Sequence, residues 1–225
     1  MRNMPGVPIL FIFLFLGIEI HGGFLPDSVL YLNNPNYQLE LGKYDIYKTK
    51  QADIVMLGNS LTHGVNWDEL IGRSNIVERA IPSDVTEGIL NRMNYVIKLK
   101  PKICFILAGL NDIYNWKPVE QIFENYVKVI NRLRLRNIIP VIQSTLYAGR
   151  DWPQSADRNK IVSQLNNYLR NYAEENKLDF IDLNIKMSKS NFLRSDLTHD
   201  GVHLNGKGFK IWGKEVEKVL TKHGL

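Results

Sequence analysis

Ser60 stands at the end of Asp53-Ile54-Val55-Met56-Leu57-Gly58-Asn59, where a short apolar, β-branched run stops at a glycine. Such a run suits a strand buried on both faces of a parallel sheet. Ser60 then falls just past the carboxyl end of that strand, where open α/β sheets bind ligands. A serine there can offer its hydroxyl as a nucleophile, and the backbone amides that follow point the same way. The plainer alternative is that Ser60 caps the next helix. A second apolar run, Ile103 to Ala108, ends in Gly109-Leu110-Asn111-Asp112 and puts Asn111 at the same sheet edge. Its carboxamide can donate to an oxyanion. Asp200-Gly201-Val202-His203 sets a carboxylate and an imidazole three positions apart in a glycine-rich loop. That spacing lets one turn supply a general base and the group that orients it.

The elements that must position these groups alternate along the chain. Strands are predicted at 53–58, 75–80, 103–108, 138–142 and 178–183. Helices are predicted near 66–71, from a capping box at Asp84 and Glu87 to about Lys98, over 119–136, 155–176 and 208–222. In the third of these, Val119, Ile122, Phe123, Tyr126, Val127, Ile130 and Leu133 recur at helical spacing. This rhythm predicts an α/β fold: a three-layer α/β/α sandwich around a central parallel sheet of about five strands. Residues 53–225 form that domain, and residues 26–52, tyrosine-rich and without clear periodicity, read as an arm over its surface.

The N-terminal 1–25 read differently. Arg2 precedes an intensely apolar run at residues 7–18. As a helix the run is only ~18 Å long, short of a ~30 Å hydrocarbon core, so it reads as a secretory signal. Because Glu19 and His21 spoil the cleavage region, an uncleaved membrane tether is the alternative. Either places the domain outside the cytoplasm, secreted or periplasmic. A hydrophobic share of 44% supports a large core, and the single cysteine, Cys104, lies inside an apolar run and forms no intrachain disulfide. The net charge of +5 is spread along amphipathic helices, and its densest stretch, Arg132 to Arg136, ends a helix. With no basic-aromatic module, nucleic acid is not an expected partner.

Ser60, Asn111 and the Asp200–His203 pair, in this order, resemble the SGNH hydrolases, also called GDSL-type esterases, over nearly all of Asp53 to Leu220. The resemblance implies a flavodoxin-like fold and serine esterase activity without cofactor or metal. It makes Ser60 the nucleophile, His203 the base, Asp200 its orienting acid and Asn111 an oxyanion donor. Two departures stand out. Asn59 replaces the aspartate that usually precedes the nucleophile, so the bonds bracing that turn must differ. The family's second block supplies an oxyanion amide from glycine, and aligning Arg79-Ala80-Ile81 puts Ala80 there. Thr62, where a glycine would stand, separates this block from the G-x-S-x-G elbow of the other large serine-esterase fold.

Other residues have plainer roles. His63 starts a helix too near Ser60 to serve as its base, Asp112 braces its loop, and Asp196 lacks the spacing to replace Asp200. His199 and His203 are spaced like two metal ligands on a helix, but Gly201 argues against a helix there, and no metal is expected. Trp67, Trp116, Tyr147 and Trp152 all follow carboxyl ends of strands, where rings can stack on a sugar or pack as lids, while Trp212 belongs to the core. The expected substrate is a short-chain, chiefly acetyl, ester of a carbohydrate. The alternatives are a lysophospholipase or thioesterase for longer acyl chains, and a non-catalytic carbohydrate-binding relative.

Overall fold

The computed structural model describes residues 30–225, so the secretory signal expected over 1–25 and the alternative tether at 7–18 lie outside the described residues. Strands β1 (Ile54–Gly58) and β3 (Ile103–Leu107) are buried at every position, as their unbroken apolarity requires. With β2 (Ile76–Ala80), β4 (Ile139–Gln143) and β5 (Asp179–Ile181) they form one parallel sheet in the order β2-β1-β3-β4-β5. The order reverses between β1 and β3, and a crevice opens there at the carboxyl ends of the strands. Gly58 pairs with both Ala80 and Leu107, so the three strand ends lie level.

Three main helices follow the predicted bounds: α7 (Val119–Arg134), α8 (Ser155–Asn176) and α10 (Gly206–Lys222). On α7 the buried stripe is Val119, Ile122, Tyr126, Val129, Ile130 and Leu133. Helix α4 (Thr86–Asn91) packs beside α7 and α7 beside α8, while α10 packs with the short α3 (Trp67–Ile71), giving a helical layer to each face of the sheet. Trp212 is fully buried and meets the Trp67 ring edge-on at 4.9 Å. Among the described residues, no helix is long and apolar enough to cross a membrane.

Three details differ from the sequence reading. Residues 35–46, within the predicted arm, form α1 (Pro35–Ile46), which starts at the Asn34 cap with Pro35 in its first turn. Its hydroxyls reach the domain: Tyr37 donates to the Gly88 carbonyl at 3.0 Å and Tyr44 to that of Ala80 at 2.9 Å. The helix expected to run to Lys98 is two pieces, α4 and α5 (Asn94–Ile97), because the Arg92 side chain between them turns into the interior. The expected capping box does not form: α4 begins after Val85 without a side-chain cap, and Asp112 accepts from the Thr86 amide instead. A small hairpin, β6 (Ser188–Lys189) and β7 (Phe192–Leu193), completes the chain before the last loop.

Candidate active site

Ser60 opens the four-residue helix α2 (Ser60–His63) directly after β1. Its neighbour Asn59 is the cap, accepting from the Leu61 amide at 3.1 Å, so Ser60 is released from capping. Asn59 is 1% exposed, and its carbonyl oxygen makes the bond that an aspartate could make, without the buried charge. Glycine is required at position 58, where a Cβ would lie 2.1 Å from Thr62 Oγ1 and 2.7 Å from the Leu107 carbonyl. This lets the turn close tightly against the end of β3.

The Ser60 hydroxyl meets His203 Nε2 at 3.0 Å, although 143 positions separate them. His203 Nδ1 lies 2.6 Å from Asp200 Oδ2. An ionised carboxylate can only accept, so Nδ1 carries the proton and Nε2 keeps a free lone pair toward Ser60. Asp200 Oδ1 accepts from the amides of Val202 at 2.8 Å and His203 at 2.7 Å. Burial would raise the Asp200 carboxyl, but the bonds from the His203 ring and these two amides outweigh it and hold it well below the usual carboxylate range. The turn is anchored by Asn205, whose side chain caps α10. Asp196 pairs with Arg194 and His63 with Glu78, which leaves neither to act on Ser60 or His203.

Asn111 is the second residue of α6 (Leu110–Tyr114), and α6 starts at Gly109 with φ 102, a left-handed conformation that favours glycine. Asn111 lines a cleft of about 360 Å³ with Ser60, Pro82, Ser83, Trp152 and His203. Its Nδ2 donates to the Asp84 carbonyl at 2.8 Å, which fixes the amide plane. Asp112 beside it is buried and accepts from the Thr86 amide and hydroxyl, bracing the loop as expected. Burial pushes its carboxyl up to about 6 against those bonds.

A brace beneath the cleft was not visible in the sequence. Arg92 and Asp84 form an ion pair at 2.7 Å in which both side chains are 0% exposed. The same guanidinium donates to the carbonyls of Arg79 at 3.0 Å and Gly58 at 2.8 Å. It thus ties the ends of β1 and β2 to the loop that holds Asn111. Burial raises the Asp84 carboxyl and Arg92 opposes the rise. A lone arginine between two predicted helical turns gave no signal of this role.

Ala80 is not at the cleft. It is fully buried at the end of β2. Ser83 is there instead, at φ 61, a left-handed backbone usually given to glycine. Ile81 and Pro82 separate the strand end at Ala80 from Ser83, so Ala80 falls short of the cleft. Of the four aromatics expected near substrate, Trp152 alone lines the cleft. Trp67 is 2% exposed and donates from Nε1 to the Thr62 carbonyl. Tyr147 is half-buried and bonds Ser163 Oγ at 2.8 Å. Trp116 points outward, 70% exposed, with the Arg158 guanidinium stacked on it.

A parallel sheet that holds a hydroxyl, an imidazole and a carboxylate in bonding sequence at its carboxyl edge defines the class of serine-hydrolase architectures. The model of the GDSL-like Lipase/Acylhydrolase family matches residues 56–211, and the chain belongs to that family. It is a carboxylic ester hydrolase. A GDSL-like lipase from Bacteroides thetaiotaomicron superposes with a TM-score of 0.74 at 23% identity, covering 84% of this chain and 98% of that one. An acetyl xylan esterase, AlAXEase, superposes with a TM-score of 0.64 at 21% identity, covering 74% and 98%. Among curated proteins, an N-acylneuraminate cytidylyltransferase of Streptococcus agalactiae serotype V is 32% identical over 104 residues, 44% of this chain. The one from Escherichia coli O18:K1:H7 is 27% identical over 187 residues, 75% of this chain. The chain spans 23% and 40% of the lengths of these two relatives.

Proposed function

We propose that the protein removes short acyl groups, acetyl foremost, from carbohydrate esters by two-step acyl transfer. The observation that carries this reading is the unbroken series Ser60 Oγ to His203 Nε2 at 3.0 Å and His203 Nδ1 to Asp200 at 2.6 Å. His203 takes the Ser60 proton as the hydroxyl attacks the ester carbonyl. The amides of Ser60 and Ser83 and the Asn111 side chain surround the oxyanion that forms. His203 then gives its proton to the leaving alcohol, and the same steps with water release the acid and restore Ser60.

The cleft volume of about 360 Å³ lies near the small end of ligand pockets, roughly 300–1,000 Å³, and suits a small acyl group. The alcohol oxygen must reach His203 Nε2, so the alcohol sits on the imidazole side. There a second hollow of about 670 Å³ adjoins the cleft across the Asp200–His203 turn, lined by Arg150, Lys189, Phe192, Ser195 and Thr198 among others. Asp151, Asp196 and Asp200 line it as well, and Arg150 stacks on the Phe192 ring, so the hollow is polar with charges of both signs and suits a hydroxyl-rich sugar. The curated relatives' name speaks of an N-acylneuraminate, an acidic sugar, which makes acylated neuraminate the first candidate. Their nucleotidyl transfer is not carried over.

Hydrolysis of p-nitrophenyl acetate against the decanoate tests the acyl preference, with Ser60→Ala as control. Faster acetate hydrolysis, abolished by Ser60→Ala, supports the reading. Faster decanoate hydrolysis favours the lysophospholipase or thioesterase alternative, and an inert protein favours a non-catalytic relative. We also propose export through the apolar run at residues 7–18. A protein recovered from the cytoplasm with residues 1–25 still attached would contradict that.

A further inference from the structure

Two imidazoles and a carboxylate converge on the outer side of the triad. His199 and His203 are held opposite each other by a turn, not a helix: the His199 amide donates to the His203 carbonyl, and Thr198 bridges Leu204. Their rings are stacked, 6.0 Å apart and 25° from parallel. Asp200 lies between them, its Oδ2 at 2.6 Å from His203 Nδ1 and 3.8 Å from His199 Nε2. One ligand atom from each residue falls within 4.8 Å of the others. Ligands at ~2.0–2.1 Å around a tetrahedral zinc stand about 3.3 Å from one another. The two separations from Asp200 bracket that value and the one between the imidazoles is at most 4.8 Å, so closing the site takes side-chain rotation without moving the backbone turn. His199 is 65% exposed, and the approach is open to solvent.

We propose that His199, Asp200 and His203 form an inhibitory site for a borderline-soft divalent cation, zinc in particular, with water in the fourth position. The inference rests on the triad reading given above. A neutral imidazole has one free lone pair. When zinc takes it at Nδ1, the ring proton moves to Nε2, and an Nε2–H cannot accept the Ser60 proton. Asp200 is drawn from orienting the ring to holding the metal, so binding and turnover exclude each other. Two imidazole ligands favour zinc over magnesium or calcium, which prefer oxygen donors. His199 makes no contact with Ser60 and takes no part in acyl transfer, which separates the two functions.

The test is p-nitrophenyl acetate hydrolysis titrated with zinc chloride, then with excess EDTA, for the wild type and His199→Gln. The expected result is loss of activity at one zinc per chain, full recovery with EDTA, and no effect of magnesium. His199→Gln should keep its metal-free rate and need on the order of tenfold more zinc, or beyond. Insensitivity of the wild type to zinc, equal sensitivity of His199→Gln, or equal inhibition by magnesium would overturn the proposal. Cobalt(II) absorption supplies a readout that needs no turnover. A tetrahedral visible band in the wild type, lost in His199→Gln, supports the site even if no ester is cleaved. Its absence counts against the site even if the esterase reading holds.

Discussion

Removing the Arg92 guanidinium should do more damage than any other single polar change under the cleft. Arg92→Ala strands the Asp84 carboxyl at 0% exposure and leaves the Gly58 and Arg79 carbonyls without their donor. Breaking a buried pair from one side costs about 3–5 kcal/mol, against roughly 5–15 kcal/mol for a whole domain. Urea denaturation should therefore show a large drop in midpoint with little change in slope. Because the Asp84 carbonyl also holds the Asn111 amide, turnover of the fraction still folded should fall as well. The double variant Arg92→Met with Asp84→Asn should recover much of the stability, since no charge is left unpaired. The carboxamide oxygen introduced by Asp84→Asn can still accept from the Val85 amide, as the native carboxylate does. A loss below about 1 kcal/mol for Arg92→Ala, the scale of an exposed pair, would refute the brace.

Asn111→Ala should lower kcat for an acetyl ester by roughly 10²–10³, about 3 kcal/mol of barrier, with KM nearly unchanged, as steady-state kinetics would show. On the proposal that the Ser83 amide serves the site, Ser83→Gly should keep activity, since glycine tolerates φ 61, whereas Ser83→Val should lower the melting temperature, because β-branching adds to the strain of a left-handed backbone. The Asp112 carboxyl, pushed up to about 6, favours its protonated form in the fold. Its contribution is full below about pH 3.9, the unfolded value, and is lost as pH rises through about 6. Asp112→Asn should thus gain on the wild type between about pH 4 and 7, by up to about 3 kcal/mol, in urea titrations at each pH.

Much of this architecture was legible because its signals are local. The runs at Ile54 and Ile103 are apolar throughout because both faces are covered, and each ends in the turn that carries Ser60 or Asn111. The Asp200–His203 spacing closes within one turn and needs no distant partner to be recognised. What was hidden depends on direction. Trp67 and Trp152 both follow strand ends, yet one ring turns under Trp212 and the other faces the cleft. The α1 helix was missed because its buried stripe is Tyr37, Glu40 and Tyr44, two rings packed with Ile81 and a carboxylate between them, which is weakly apolar in sequence. Ser83 was missed because a backbone at positive φ need not be glycine. The pairing of Arg92 with Asp84 leaves no period in the sequence, whereas the spacing of His199 and His203 was visible and only the turn that faces them was not.

The most direct test is labelling with a serine-directed organophosphonate, read by mass spectrometry of the digested protein. One phosphonyl adduct on the peptide containing Ser60, absent in His203→Ala, is the predicted result. Labelling elsewhere, or undiminished labelling of Ser60 without the imidazole, would contradict a nucleophile activated across the sheet edge.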